Sequence, residues 1–159
     1  MKNISQIAVW ADDKKYLLND KQEVDCGAFL LKAERTEVSC GTEYTLRIQA
    51  RQAVPLNRID LVFSFSESFC REKLLFFNNG FCTNDFAFIT EIGSDAVVSR
   101  DLLLYQNERG QNFNLAVTTA ERFLTRFIST AEGTVLRYYM EDKFLVPGEE
   151  YRLEQFVVD

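Results

Sequence analysis

Apolar and polar residues alternate along much of this chain, in short runs separated by polar turns. Tyr44, Leu46, Ile48 and Ala50 are interleaved with Thr45, Arg47, Gln49 and Arg51, the period of a strand with one wet face. Ile59, Leu61, Phe63 and Phe65 repeat the pattern against Asp60, Ser64 and Ser66, and Pro55, Leu56 and Asn57 read as the connection between these two strands. Upstream, residues 7–10 and 16–18 flank the stretch 11–15 and predict an opening hairpin. Residues 26–32 and 37–40 read as two further β edges, with Cys40, Gly41 and Thr42 turning the chain into the first alternating strand.

Residues 102–105 are apolar at every position, which predicts a central strand covered on both faces. The polar stretch 107–111 turns it into Phe113, Leu115 and Val117, which alternate with Asn114, Ala116 and Thr118. Residues 86–89 read as a short strand. Segment 120–130 has two readings: Phe123, Leu124, Phe127 and Ile128 sit at helical spacing, while its β-branched and aromatic content favours a strand. Leu136, Tyr138 and Met140 continue the sheet, and 151–158 closes it after Pro147 and Gly148. In that closing strand the phase slips at Glu154 and Gln155, as a β-bulge produces. Strands recurring at about ten residues predict an all-β fold, a two-sheet antiparallel β-sandwich (supersandwich-like), with a closed barrel as the alternative.

One segment looks like more than scaffold. Residues 74–85 read LLFFNNGFCTND, an apolar run that breaks into Asn78, Asn79 and Gly80 and then presents an aromatic, a thiol, a hydroxyl and an amide. Asn79 and Gly80 tolerate positive φ, so a strand arriving from Leu74 leaves the sheet there and holds the following residues at its rim. Phe81, Thr83 and Asn84 are the candidate contact residues of this loop, with Cys82 as a bystander. The plainer alternative is a turn whose Phe81 caps the core.

Composition narrows the function classes. With 159 residues and 47% apolar content, 14 Phe included, a single domain over 1–159 with a Phe-rich core is expected. A net charge of −6 without any basic run argues against nucleic acid and anionic membranes as partners. The N-terminus lacks the apolar core of a signal peptide, so a cytoplasmic location is expected. Cys26, Cys40, Cys70 and Cys82 form no C-x-x-C pair; they read as small buried hydrophobes, with Cys82 alone accessible. No histidine is present, which removes the usual base of hydrolases and the commonest transition-metal ligand. Neither a metal site nor a cofactor is expected. Glu67, Glu72, Asp85, Glu91, Asp95 and Asp101 lie near the loop, and solvated turn acids are the better reading of all six.

Three segments together resemble a known family: FFNNGFCTND at 76–85, LLLYQNERGQNFNLAVTTAERF at 102–123 and VLRYYMEDKFLVPGEEYRLEQFVVD at 135–159. Their order and spacing resemble the N-terminal β-sandwich domain of retaining α-galactosidases, the melibiase-like glycoside hydrolase family 36. Asn79, Gly80 and Phe81 match that family's rim motif and Thr83 is close to its Ser, while Cys82 and Asn84 replace its Gln and Trp. Losing the Trp removes the face that would stack on a sugar ring. Pro147, Gly148 and Glu149 match the turn before the family's closing strand.

The resemblance implies a downstream catalytic (β/α)8 barrel of the same protein carrying both catalytic carboxylates. This chain alone is then expected to have no hydrolytic activity, and no catalytic residue is assigned to it. The implied role is an accessory domain that packs against the barrel, with Asn79, Gly80, Phe81, Thr83 and Asn84 lining its pocket or a subunit contact. The alternatives are a carbohydrate-binding module for a galactoside or other glycan, using aromatics such as Trp10, Phe81 or Tyr105, and a homo-oligomeric structural domain. Burial in the core is the favoured reading of Trp10. A large apolar surface on one sheet would favour docking or self-association; a polar groove rimmed by aromatics would favour glycan binding.

Overall fold

The computed structural model describes residues 4–11, 14–17, 22–67, 69, 75–78, 88–91, 97–130 and 133–159. Among them run the strands β1 (Ile4–Ala11), β2 (Lys14–Leu17), β3 (Glu23–Asp25), β4 (Phe29–Val38), β5 (Gly41–Ala50), β6 (Val54–Phe65), β7 (Leu75–Asn78) and β8 (Phe88–Glu91). They are followed by β9 (Val97–Ser99), β10 (Leu102–Gln106), β11 (Asn112–Val117), β12 (Leu124–Thr130), β13 (Gly133–Leu145), β14 (Glu150–Arg152) and β15 (Phe156–Val158). The described residues contain no helix, so none is long and apolar enough to cross a membrane.

The strands form two antiparallel sheets packed face to face, a β-sandwich. One sheet has six strands in the order β2-β1-β6-β13-β12-β9; the other runs β3-β4-β5-β15-β11-β10-β7-β8, with β14 also pairing β5. The alternating positions of the sequence point where their period sends them. Tyr44, Leu46, Ile48 and Ala50 of β5 and Ile59, Leu61, Phe63 and Phe65 of β6 are all buried in one core. Across the middle of the six-stranded sheet, Val9, Leu61, Leu136 and Phe127 stand side by side in register, each almost fully buried.

Aromatic rings lock the two sheets together. Phe65 meets Tyr105 and Phe113 of the opposite sheet edge to face, with centroids 5.1 and 5.8 Å apart, and Phe63 meets Phe156 at 5.8 Å. Such pairs add about 0.5–1.5 kcal/mol each beyond their buried area. The Phe-rich core anticipated from composition lies here.

Several expectations need correction. Pro55, Leu56 and Asn57 do not form a connection: they belong to β6, which begins at Val54, and the link is residues 51–53. Proline is accommodated because β1 reaches only to Ile59, leaving β6 with β13 as its single neighbour at Pro55. Residues 26–32 and 37–40 are not two edges separated by a break. The charged stretch between them continues β4 as one ten-residue strand, because its register with β5 is unbroken from Phe29 to Val38. Tyr105 is 1% exposed and unavailable for display, whereas Trp10 is partly buried on the outer face and outside the core cluster. Cys26 is partly buried and Cys40, at the β4–β5 turn, is exposed, so Cys82 is not the sole accessible candidate. In segment 120–130 the favoured strand reading holds from Leu124 to Thr130, and residues 120–123 are irregular.

Gly41 opens β5 at φ +129°, and a Cβ there would lie 2.3 Å from the carbonyl oxygen of Val158. Both conformation and space therefore require glycine. Gly41→Ala is expected to lower stability by about 2–4 kcal/mol, read as a drop in the urea midpoint with unchanged slope.

Candidate functional site

The rim-loop residues Asn79, Gly80, Phe81, Thr83 and Asn84 lie outside the described residues, as do Glu72, Cys70, Cys82, Asp85 and Asp95. The structure places what leads into and out of that loop. β7 ends at Asn78, paired with Phe88 of β8, and β8 is the last strand of the nine-stranded sheet. Glu67 is exposed, and Asp101 lies 3.2 Å from Arg100.

A cleft of about 570 Å3 opens elsewhere, where the start of β12, the middle of β13 and β14 come together. Two backbone irregularities shape it. Tyr139 pairs with Arg58 and Lys143 with Leu56, so β13 advances four residues while β6 advances two. Glu141 and Asp142 take up the excess at φ 51° and 56°, a left-handed conformation that side chains other than glycine rarely adopt. In β14 and β15, Arg152 pairs with Arg47 but Phe156 with Tyr44, one residue more than β5 provides. This is the phase slip legible at Glu154 and Gln155.

The sequence marks Glu154 only as the place of a phase slip, yet its carboxylate holds the cleft together. The residue is fully buried. Its carboxylate accepts hydrogen bonds from the Thr119 hydroxyl and from the backbone N–H groups of Arg122 and Phe123. Thr119 Oγ1 in turn accepts the N–H of Gln155 at 2.9 Å, and the Tyr138 hydroxyl donates to the Glu154 carbonyl at 2.9 Å. Burial pushes the Glu154 carboxyl up, but the Thr119 hydroxyl and the N–H groups of Glu121, Phe123 and Arg122 outweigh it and leave it below the usual carboxylate range. The successive N–H groups form a small anion-binding nest that the protein's own side chain fills.

The cleft lining mixes ring faces with charge. Phe123, Tyr139 and Tyr151 supply aromatic surface; Arg122, Lys143 and Arg152 supply cations; Glu141 and Glu150 supply carboxylates. Glu150 is engaged by Arg47 at 2.7 Å, and Arg47 also lies 3.1 Å from Glu34. The Tyr151 hydroxyl donates to Glu149 at 2.6 Å and accepts the N–H of Val146 at 2.9 Å, which fixes the ring. Lys143 sits over that ring, 5.4 Å from its centroid. The Nε of Arg152 is buried without a hydrogen-bond partner.

The outer face of the six-stranded sheet is a second feature. Leu17, Ala8, Val62, Val135, Ile128 and Val98 stand side by side in register across all six strands. Leu17 is 55% and Val98 42% exposed, Val62, Val135 and Ile128 are only partly covered, and Ala8 is buried. The next row carries Trp10, Asp60, Arg137 and Arg126. Arg137 holds Asp60 through two bonds of 2.8 Å, and Asp60 pushes the guanidinium further up. Arg126 lies 5.2 Å over the Tyr139 ring. Elsewhere, burial and the neighbouring Asp25 push the Cys26 thiol up to about 12, which leaves it unsuited to nucleophilic work.

No family model matches the chain, and no curated protein matches it in sequence.

Because the carboxyl of Glu154 is held below its unfolded value, its contribution to stability is present above about pH 4.5 and is lost as pH falls through the folded value. Glu154→Gln is expected to cost about 1–3 kcal/mol at pH 7, since an amide N–H would face the donors of the nest. The wild type should converge on the variant as the solution is acidified. Thermal melts of both proteins between pH 7 and pH 3 check this.

Proposed function

We propose that this chain is a non-catalytic β-sandwich domain serving a glycosidase-like protein, docked on a catalytic (β/α)8 barrel through the outer face of its six-stranded sheet. The observation that carries the reading is the apolar row from Leu17 to Val98. Six strands spaced at ~4.8 Å make such a row about 24 Å long, the scale of one side of a standard interface of ~800 Å2 per partner. The adjoining Trp10, Arg126 and Arg137 are residue types enriched where protein surfaces meet. Two buried acids are also committed to structure, Glu154 to its nest and Asp60 to Arg137, which agrees with a supporting rather than a catalytic part. Resemblance to the α-galactosidase N-terminal domain supplies the identity of the barrel.

A second reading is glycan binding by this domain itself. The cleft favours it, since sugars are held by ring faces with charged and polar groups beside them.

The first test is the reading frame that encodes Asp159. Continuation into alternating strands and helices, with carboxylates at strand ends, supports the docking reading; a stop codon there overturns it. In the continuous protein, Val135→Lys should separate barrel from sandwich, seen as independent thermal transitions, while changing the stability of the isolated sandwich by less than about 1 kcal/mol. A dimer of the isolated sandwich that Val135→Lys converts to monomer would instead make the face a self-interface. The isolated chain should show no turnover of nitrophenyl galactosides.

A further inference from the structure

We infer that the cleft between β12, β13 and β14 is a binding site for an acidic sugar, a pyranose carrying a carboxylate. That the ligand is a sugar rests on the glycosidase-like reading; that it is an anion rests on the cleft alone. Of the two lining acids, Glu150 is already neutralised by Arg47. Arg122 is paired with Glu121 at 3.2 Å. Lys143 and Arg152 form no ion pair with the described residues; the acids beside them are Glu141 of the lining and Glu149, which accepts the Tyr151 hydroxyl. The lining gathers three cations against two carboxylates on a chain of net charge −6.

The geometry gives each group a place in such a complex. Arg152 lines the cleft with a guanidinium that forms no ion pair among the described residues, so its fork is open to an acceptor that a ligand brings. A carboxylate is the acceptor that a guanidinium fork matches best. Arg152 is held on the sheet by the pairing of β14 with β5, and Lys143 is drawn over the Tyr151 ring, so both cations are positioned before a ligand enters. Arg126 and Lys143 cover one face of the Tyr139 and Tyr151 rings respectively, which assigns sugar C–H groups to the opposite faces, and the Tyr151 ring is fixed by its hydroxyl bonds to Glu149 and Val146. The left-handed pair Glu141 and Asp142 is the backbone strain expected where a strand has been deformed to shape a site. A volume of about 570 Å3 is typical of small-ligand pockets.

Isothermal titration of the folded chain with digalacturonate, neutral galactobiose and acetate tests the inference. Digalacturonate is expected to bind at least about tenfold more tightly than galactobiose and to weaken as salt is raised. Arg152→Gln should weaken it about tenfold, and Lys143→Gln by a smaller factor, with the circular dichroism of both variants unchanged. Equal affinity for the acidic and neutral sugars, or affinity untouched by both substitutions, overturns the inference, as does no binding to any probe. If acetate competes as well as digalacturonate, the anion site remains but the sugar is refuted. The docking reading is judged separately by the reading frame and by Val135→Lys, so either can fail without the other.

Discussion

One buried carboxylate sets the geometry on which the cleft depends. Glu154 lies at the irregular joint between β14 and β15, and its oxygens gather a hydroxyl and two backbone N–H groups from the segment that enters β12. Its own carbonyl is held by Tyr138 of β13. The three walls of the cleft are therefore fixed from one point: Arg122 and Phe123 are bonded to the Glu154 carboxylate, Tyr139 follows the tyrosine that clamps its carbonyl, and Arg152 precedes it by two residues. A buried ion is expensive to desolvate, and here the cost is offset by donors that would otherwise be unmade N–H groups in an irregular loop. The exchange makes a non-repetitive corner of the sandwich rigid.

The two faces of the six-stranded sheet follow from a period of two applied in register. Val9, Leu61, Leu136 and Phe127 face inward, and their neighbours Ala8, Val62, Val135 and Ile128 necessarily face out. An outward row in a sheet wetted on one side is ordinarily polar. Here apolar side chains occupy it across every strand, while the adjoining row carries Lys15, Arg126 and the Asp60–Arg137 pair. Water is a poor solvent for the first row and a good one for the second, and that contrast is the physical basis of a docking surface.

Much of this was legible in the sequence, and the failures have physical causes. Period-two runs placed β5, β6 and β11, and the slip at Glu154 and Gln155 marked the true bulge, because the side-chain period registers a single inserted residue. Pro55 reads as a connection because proline breaks ladders, and pattern alone cannot say that β1 stops short of it. The charged middle of β4 looked like a break because alternation needs a buried face, and residues 34–38 have none. Trp10 lies in a strand whose two faces are both covered to some degree, so its own alternation could not say which way it points. Glu154 was read only as the position of a bulge, since a carboxylate that fills a nest sixteen residues beyond Tyr138 and more than thirty beyond Phe123 leaves no local pattern. The rim loop at 79–84 was the sharpest signal in the chain and lies outside the described residues, so its role rests on the motif.

The bulges explain why the cleft forms where it does. A regular sandwich buries one face of each sheet and offers no concavity, because successive side chains simply alternate. The two extra residues in β13 and the one extra at the β14–β15 joint interrupt that alternation at the same end of the fold. Beyond the first of these, the inward phase resumes only at Leu145, and the four residues from Glu141 to Phe144 are all exposed. Glu141 and Lys143 thereby stand exposed at the rim beside Tyr139 and Tyr151. Left-handed backbone at Glu141 and Asp142 costs about 1–2 kcal/mol per residue relative to a regular strand, and a sheet gains nothing from it in packing. What the distortion does accomplish is the assembly of cations and ring faces around a cavity, held open by a clamp at Glu154 that itself requires the second bulge.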